Sequence, residues 1–235
     1  KFEVPPVDLP QGFNVDNAAK IREATGMLTI GVGRINTPEL AEKILEEDKV
    51  DMVVMGRAQL ADPEFCKKAK AGETDDIDYC VGCNQGCYDG FENMDMECTT
   101  CLRNPALGRE KECEIYPTEK PETVLVAGGG IAGLEAARVA AKRGHHVTVY
   151  EKSDKIGGQI HLAAVPPRKS EILRAVTYYE KILPQLNVNI KLNTEAEAEE
   201  LNQYDAVILA VGAHNMALPM PVENSNVVSA WEVLA

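Results

Sequence analysis

Five cysteines lie within one 22-residue segment, CVGCNQGCYDGFENMDMECTTC. Cys80, Cys83 and Cys87 form a C-x2-C-x3-C run that contains glycines, so one tight turn can bring three thiolates together. A fourth thiolate has to return from Cys98 or Cys101. Four converging thiolates bind either a tetrahedral zinc ion or an iron–sulfur cluster, and a disulfide pair is the remaining alternative.

The spacing of the cysteines favours an iron–sulfur cluster. Two CxxC pairs, Cys80/Cys83 and Cys98/Cys101, are compatible with zinc, but that arrangement leaves Cys87 without a role. In a cubane cluster each ligand takes one corner iron, so a run of three cysteines followed by a distant fourth fits better. The segment is therefore predicted to bind iron and sulfide, with zinc or free thiols as alternatives.

The elements before this segment alternate between helix and strand. Helices are predicted at residues 15–25 and 62–71, and a third begins after a Thr37 cap. Near-continuous apolar runs predict strands at residues 27–32 and 50–55. Because these runs do not alternate with polar residues, both faces are expected to be buried, as in a parallel sheet.

Each of these two strands is followed by a glycine and an arginine, Gly33-Arg34 and Gly56-Arg57. At the carboxyl end of a parallel strand, glycine lets backbone N–H groups approach an anion, and arginine supplies a bidentate partner for phosphate. A tight turn carrying a solvated cation is the alternative for each pair. Their repetition on successive strands favours phosphate binding.

A nucleotide-binding motif follows a predicted strand at residues 123–127. Gly128, Gly130 and Gly133 have GxGxxG spacing and open a helix, and Glu151 ends the next strand. The glycines permit a tight turn, close approach of the backbone to a pyrophosphate, and helix–strand packing, and the acid binds the ribose hydroxyls. Together they predict a dinucleotide-binding domain.

A second glycine-rich turn, Gly157-Gly158-Gln159, and the pair Gly212-Ala213 favour FAD over NAD, because both can supply backbone groups along a longer ligand. A simple loop is the alternative for each. The other predicted elements of this part are helices ending at residue 143 and spanning 168–183, and strands at 146–150, 188–192 and 206–210.

The bulk composition excludes several classes of protein. The net charge of −13 argues against nucleic acid or an anionic membrane surface as a partner. No apolar run approaches the length of a membrane span. Seven cysteines, clustered and odd in number, are typical of a reducing compartment, so a cytoplasmic protein is predicted.

Taken in order, the motifs GVGRI, VVMGRAQLADPEF, CVGCNQGC, CLRNPALGRE, VAGGGIAGLEAA and YEKSDKIGGQI resemble the NADH:flavin oxidoreductase / 2,4-dienoyl-CoA reductase-like family. The resemblance covers essentially the whole chain. It implies an α/β architecture with the C-terminal portion of an FMN-binding TIM barrel (residues 1–72), a 4Fe–4S segment with its linker (73–120) and a Rossmann-like FAD-binding domain (121–235). The chain is expected to be an internal piece of a longer enzyme.

The resemblance also assigns site residues. Arg34, Gly56 and Arg57 match the phosphate loops for FMN. Cys80, Cys83 and Cys87 match the first three cluster ligands. The positions that match FAD-binding residues, with a looser match for the last two, are Gly128, Gly130, Gly133, Glu151, Gln159, Arg168 and Ala196.

The family's fourth cysteine directly precedes Leu-x-Asn-Pro, so the resemblance implies that Cys101 rather than Cys98 is the last ligand. The segment between Cys87 and Cys101 is longer than that pattern predicts, which keeps Cys98 as an alternative.

The implied activity is an electron relay. NAD(P)H reduces FAD, electrons pass through the cluster to FMN, and FMN reduces an activated C=C bond of a 2-enoate or dienoyl-CoA substrate. The alternatives are an amine dehydrogenase, an electron-transfer module without substrate chemistry, and a zinc-stapled nucleotide-binding scaffold. The catalytic acid is expected upstream of Lys1, and the sequence does not decide between a monomer and a homo-oligomer.

Overall fold

All strand pairs in the described part of the chain are parallel, as expected for strands that alternate with helices along the sequence. The computed structural model describes residues 4–92, 98–214, 216 and 227–235. The chain has an α/β fold and divides into two units, Lys1–Glu114 and Ile115–Ala235.

The first unit carries two strands and the helices around them. Its elements are α1 (Val15–Thr25), β1 (Ile30–Gly31), α2 (Pro38–Glu46), β2 (Met52–Val53), α3 (Gly56–Ala61), α4 (Phe65–Ala71), a 3-10 turn (Thr74–Asp76) and α5 (Asp89–Glu92). The predicted cap of α2 is confirmed, since the Thr37 hydroxyl accepts a 3.2 Å hydrogen bond from the backbone N–H of Leu40.

Burial of both faces of the first two strands is a prediction that the structure corrects. Among the described residues β1 and β2 pair only with each other, and both are shorter than the apolar runs that contain them. Leu28, Ile30 and Val32 alternate along one face and are exposed by 80%, 50% and 45%. On the other face of β1, a Cβ at Gly31 would lie 3.0 Å from Val50 and 3.7 Å from Val15. The residues of both runs are almost all apolar, but only one face of each strand packs against other described residues.

The helix predicted at residues 62–71 is also corrected. Helix α3 begins earlier, at Gly56, and the chain is extended at Asp62 before α4 starts at Phe65. The Asp62 carboxylate is buried and accepts hydrogen bonds from the backbone N–H groups of Glu64 and Asp78, both at 2.9 Å. Such side-chain bonds to nearby backbone compete with a continuous helix.

The second unit is built on a four-stranded sheet of order β5-β4-β3-β6. Its elements are β3 (Thr123–Ala127), α6 (Ile131–Lys142), β4 (His146–Tyr150), α7 (Ile160–Ala163), a 3-10 turn (Ser170–Leu173), α8 (Arg174–Gln185), β5 (Asn189–Lys191), α9 (Ala198–Leu201), β6 (Ala206–Leu209) and α10 (Ala230–Leu234). This is the strand order of one half of a doubly wound dinucleotide-binding sheet. The chain adds β4 and β5 on one side of β3 and then crosses to add β6 on the other side, with all four strands parallel.

The predicted strands β3 and β4 are confirmed with their bounds, and their apolar side chains form the core with α6 and α8. The helix predicted from residue 168 starts six residues later. Arg168 has a φ of +66°, a left-handed conformation that does not continue into a helix. No helix among the described residues is long and apolar enough to cross a membrane.

Candidate functional site

The two Gly-Arg pairs of the first unit line one cleft of ≈ 400 Å³. Because β1 and β2 are parallel and in register, the residues that follow them meet at the same edge. Gly33 has a φ of +121°, and a Cβ there would come within 2.8 Å of the Phe13 ring. At Gly56 a Cβ would meet nothing within 4 Å, so the backbone there faces open space.

The two arginines of the cleft differ in their surroundings. Arg34 is 7% exposed, and its guanidinium donates hydrogen bonds to the backbone carbonyls of Val7, at 3.2 Å, and Leu9. It also packs against Gly82 in the cysteine run, where an added Cβ would be 3.1 Å from Nη2 of Arg34. Arg34 therefore ties the N-terminal segment to the cysteine turn.

Arg57 is half-buried and donates a hydrogen bond to Oδ1 of Asn84, which lies between Cys83 and Cys87 in the sequence. The Asn84 amide in turn donates to the carbonyl of Val4 at 3.2 Å, and Asn84 has a φ of +62°. Arg57 lines the cleft and also a second, smaller cavity beside it. The side chain thus belongs to both cavities.

Four cysteines line this smaller cavity, in which the open space is ≈ 10 Å³. They are Cys80, Cys83, Cys87 and Cys101, the set implied by the family resemblance. The described lining residues include no carboxylate, and they include Arg57 and Arg103. Within the described residues, no three or more His, Cys, Asp or Glu side chains are grouped so as to hold a metal ion.

The return of the chain to Cys101 depends on Gly86. A Cβ at Gly86 would overlap with the backbone of Thr100, and the Thr100 N–H donates to the Gly86 carbonyl at 3.5 Å. This contact brings Cys101 beside the first three cysteines. Cys98 lies elsewhere, with its sulfur against Gly108, where an added Cβ would come within 2.9 Å of Sγ.

The thiols of the cavity lie in a mixed electrostatic environment. Burial raises the pKa of Cys80 and Cys87, whereas the nearby guanidinium of Arg57 opposes that rise. The backbone N–H of Gly82 also points at Sγ of Cys80, at 3.4 Å. Burial is the larger effect, so the pKa of both thiols lies above its usual value on balance. The thiolate is the form that binds metal, so both thiols must lose their protons on binding.

Asn36 connects the cleft to the cysteine turn. It is 4% exposed and lines the cleft, and its amide donates to the carbonyl of Cys80 at 2.9 Å. Its Oδ1 is buried and accepts no hydrogen bond from the described residues. Since buried acceptors are normally paired, this atom is suited to a donor on a bound molecule or to a water.

In the second unit the GxGxxG glycines make the close contacts that the motif predicts. A Cβ at Gly128 would overlap with the Ala210 carbonyl, and one at Gly133 would overlap with the Gly128 carbonyl. At Gly130 a Cβ would meet nothing within 4 Å. Two glycines therefore serve the packing of β3, α6 and β6, and the third faces open space.

Glu151 is held at the end of β4 by two backbone donors. Its Oε2 accepts from Gly129 N–H at 2.7 Å, and its Oε1 accepts from Ser153 N–H at 2.8 Å. Glu151 is 6% exposed. Burial alone raises the pKa of this carboxyl, but the hydrogen bonds from Ser153 and Gly129 outweigh it, and the net pKa lies below the usual value.

The second glycine-rich turn lies directly against the first. Gly157 N–H donates to the Gly129 carbonyl at 2.8 Å, and Gly158 is close enough that an added Cβ would be 3.3 Å from Cα of Gly130. The Gln159 amide donates to the Ala213 carbonyl at 2.9 Å, which connects this turn to the segment after β6. All three predicted turns thus lie at the carboxyl edge of the sheet.

Two predicted FAD positions lie in loops of the second unit. Arg168 is exposed in the loop before α8, and Ala196 is half-buried in the loop after β5. The sequence reading missed Asn36, Asn84 and Gly86. Asn84 and Gly86 lie inside the cysteine run, so their position was a usable signal, whereas Asn36 had none beyond its place after Gly-Arg.

Two family models match the chain. Residues 9–76 match the NADH:flavin oxidoreductase / NADH oxidase family, and residues 126–181 match the NAD(P)-binding Rossmann-like domain. The family resemblance recognised from the motifs is thereby confirmed.

Similar proteins match over almost the whole chain. A metal reductase of Desulforamulus reducens is 42% identical over 236 residues, covering 97% of this chain and 35% of that protein. A bilirubin reductase of Mediterraneibacter gnavus is 43% identical over 230 residues, covering 96% and 35%. The structure of a 2-naphthoyl-CoA reductase with 2-naphthoyl-CoA matches with a TM-score of 0.88 and 33% identity, covering 97% and 35%. The chain spans about a third of the length of these relatives.

Proposed function

We propose that the chain is the cofactor-binding part of an NAD(P)H-dependent flavin and iron–sulfur oxidoreductase, because residues 9–76 match the NADH:flavin oxidoreductase / NADH oxidase family. One observation carries this proposal. Four cysteines line one cavity, and that cavity shares Arg57 and Cys80 with the cleft formed by the two Gly-Arg pairs. Residues 1–72 are assigned to a TIM barrel, residues 73–120 to the cluster segment and residues 121–235 to the FAD-binding domain.

The cysteine cavity is assigned to a 4Fe–4S cluster held by Cys80, Cys83, Cys87 and Cys101. Four thiolates around one zinc ion converge on a single point, with zinc–sulfur distances of about 2.3 Å. In a cubane cluster each thiolate binds its own iron, so the sulfurs surround a larger group. The four cysteines line one cavity, and their spacing, a run of three followed by a distant fourth, supports the cluster. The open space between the four cysteines is only ≈ 10 Å³, so their thiols must move apart when a cluster binds.

The cleft is assigned to FMN. The open backbone at Gly56 lets the phosphate approach, Gly33 allows the turn that packs on Phe13, and Arg57 supplies the cation. The guanidinium of Arg34 is occupied by two backbone carbonyls, so Arg34 shapes the cleft more than it neutralises a phosphate. The buried, unpartnered Oδ1 of Asn36 fits a hydroxyl or N–H donor of the flavin.

The second unit is assigned to FAD. The open backbone at Gly130 lies where a pyrophosphate approaches the start of α6, and the turn at Gly158 and Gln159 extends that surface. Glu151 keeps acceptor capacity for the ribose hydroxyls, and its carboxylate repels a 2′-phosphate, which argues against NADP in this domain.

When bound, FAD would supply hydride transfer from NAD(P)H, the cluster would supply single-electron transfer to FMN, and FMN would supply the reduction of an activated C=C bond. The residues of this chain bind and orient the cofactors and set their electrostatic surroundings. The substrate class is supported by the names of two similar proteins, since bilirubin and 2-naphthoyl-CoA both contain conjugated C=C bonds.

The second candidate is an electron-transfer module that delivers electrons to an external acceptor. It is favoured by the name of one relative, a metal reductase. The cofactor-binding residues are the same in both cases, so only the final acceptor distinguishes them.

Cofactor analysis of anaerobically purified protein tests the proposal. We expect iron and sulfide at about four each per chain, together with FMN and FAD. Turnover of the full-length enzyme with NADH and a cinnamate-type or dienoyl-CoA substrate identifies the ene-reductase. Turnover with Fe(III) chelates alone supports the electron-transfer module. One zinc per chain without sulfide contradicts both.

A further inference from the structure

The flavin cleft and the cysteine cavity share a wall that contains one cation. Arg57 and Cys80 line both spaces. The guanidinium of Arg57 is held in that wall by its hydrogen bond to Oδ1 of Asn84, a neutral side chain inside the cysteine run. Arg57 is thus fixed beside the thiols as well as beside the cleft.

The two arginines of the cysteine cavity differ in how their charge is balanced. Arg103 forms an ion pair with the carboxylate of Asp78, so its charge is compensated locally. For Arg57, no carboxylate among the described residues lies within ion-pair distance, and none lines the cavity. Arg57 therefore supplies the uncompensated positive charge on this wall.

We propose that Arg57 tunes the reduction potential of the cluster, raising it so that the cluster accepts an electron from reduced FAD. This inference rests on the proposed function. Reduction adds one electron, and so one unit of negative charge, to the cluster and its four thiolates. A half-buried cation nearby stabilises the reduced form more than the oxidised form, because the attraction grows with the negative charge of the cluster and is stronger at low dielectric.

The role assigned to Arg57 differs from binding phosphate in the cleft. A phosphate bound by the same guanidinium partly compensates its charge. The influence of Arg57 on the cluster is therefore expected to be larger in protein from which FMN has been removed. This dependence separates tuning of the cluster from a secondary effect of lost flavin.

The test is an anaerobic redox titration of the cluster, followed by the EPR signal of the reduced form, on FMN-free protein. The variants are Arg57→Gln, which removes the charge but keeps a donor for Asn84, and Arg57→Lys, which keeps the charge. Lys67→Gln is the matched control, because it removes the same charge at an exposed position that lines neither space. We expect a more negative potential for Arg57→Gln alone.

Equal reduction potentials in wild type and Arg57→Gln would overturn the inference. Equal shifts of the potential in Arg57→Gln and Arg57→Lys would also overturn it, because they would indicate altered packing and not a lost charge. If Arg57→Gln does not retain its cluster, Asn84→Ala takes its place. That variant releases the guanidinium without changing the charge of the chain, and an unchanged potential there contradicts the inference. Wild-type protein that lacks iron and sulfide contradicts the proposed function itself.

Discussion

The backbone N–H of Gly129 donates a 2.7 Å hydrogen bond to Oε2 of Glu151, which joins the glycine turn after β3 to the acid at the end of β4. The sequence alone assigned Glu151 to the ribose of a bound nucleotide. In the structure the same carboxylate also fixes the shape of the phosphate-binding turn. Two acceptor sites are taken by backbone donors, and a carboxylate has about four, so both roles are compatible.

Glu151→Gln tests this double role. The amide cannot accept from both Gly129 and Ser153, so we expect the free energy of unfolding of the second unit to fall by about 1–3 kcal/mol at pH 7. Bound FAD should fall as well, with iron and FMN unchanged. Urea unfolding and flavin extraction measure the two effects, with exposed Glu119→Gln as the control. Full FAD with lost NADH affinity would instead identify this domain as the nicotinamide site.

The stabilisation by Glu151 should depend on pH. Its pKa in the folded protein lies below that in the unfolded chain, so the folded state is stabilised above about pH 4.3. The contribution is lost as the pH falls through the folded pKa. We therefore expect the stability difference between wild type and Glu151→Gln to shrink between pH 7 and pH 3. A difference that stays constant over this range would show that the carboxylate charge contributes nothing.

Alanine substitutions separate packing from ligand binding in the glycine motif. Gly130→Ala should leave the melting temperature nearly unchanged, because its Cβ meets nothing within 4 Å and its φ of −74° suits any residue. It should weaken FAD binding, since the methyl group occupies space that the pyrophosphate requires. Gly133→Ala should destabilise the unit, because its Cβ overlaps with the Gly128 carbonyl. Unchanged FAD content in soluble Gly130→Ala would argue against a nucleotide at this turn.

Serine substitutions identify the fourth cluster ligand. Cys101 lines the cavity with the other three cysteines, whereas Cys98 packs on Gly108. Cys101→Ser should lose most of the iron and sulfide, and Cys98→Ser should retain both. Colorimetric iron and sulfide assays on anaerobically purified protein measure this. The reverse outcome would assign the site to Cys98.

Alanine substitutions of the two cleft arginines should affect different properties of the protein. Arg34→Ala leaves the carbonyls of Val7 and Leu9 without their donor, and we expect the first unit to lose about 1–3 kcal/mol of stability. Arg57→Ala should weaken FMN binding by a few kcal/mol, the scale of a lost charge-assisted pair, with FAD unchanged. Thermal unfolding and FMN content after dialysis measure the pair. Retained FMN in Arg57→Ala would support a solvated turn instead.

Several features of the fold follow from local sequence. Strands β3 and β4 were predicted with their bounds, because a run of buried apolar residues between turn signals needs little distant information. The cap at Thr37 was predicted for the same reason. Local prediction failed at Asp62 and Arg168. The Asp62 carboxylate accepts a hydrogen bond from the distant Asp78 backbone, which separates α3 from α4. Arg168 has a left-handed conformation, so the predicted helix does not start there.

The sequence by itself determined which residues could do chemistry: the cysteine spacing, the repeated Gly-Arg pairs and the GxGxxG turn with its acid. These motifs lie within short stretches, where backbone geometry limits what the residues can reach. The tertiary structure decided which of them meet. It separated buried Arg34 from half-buried Arg57, seated Cys101 rather than Cys98 in the cavity, and bound Glu151 to Gly129. Such contacts depend on how distant segments pack, and the free energy of that packing cannot be inferred from any one segment alone.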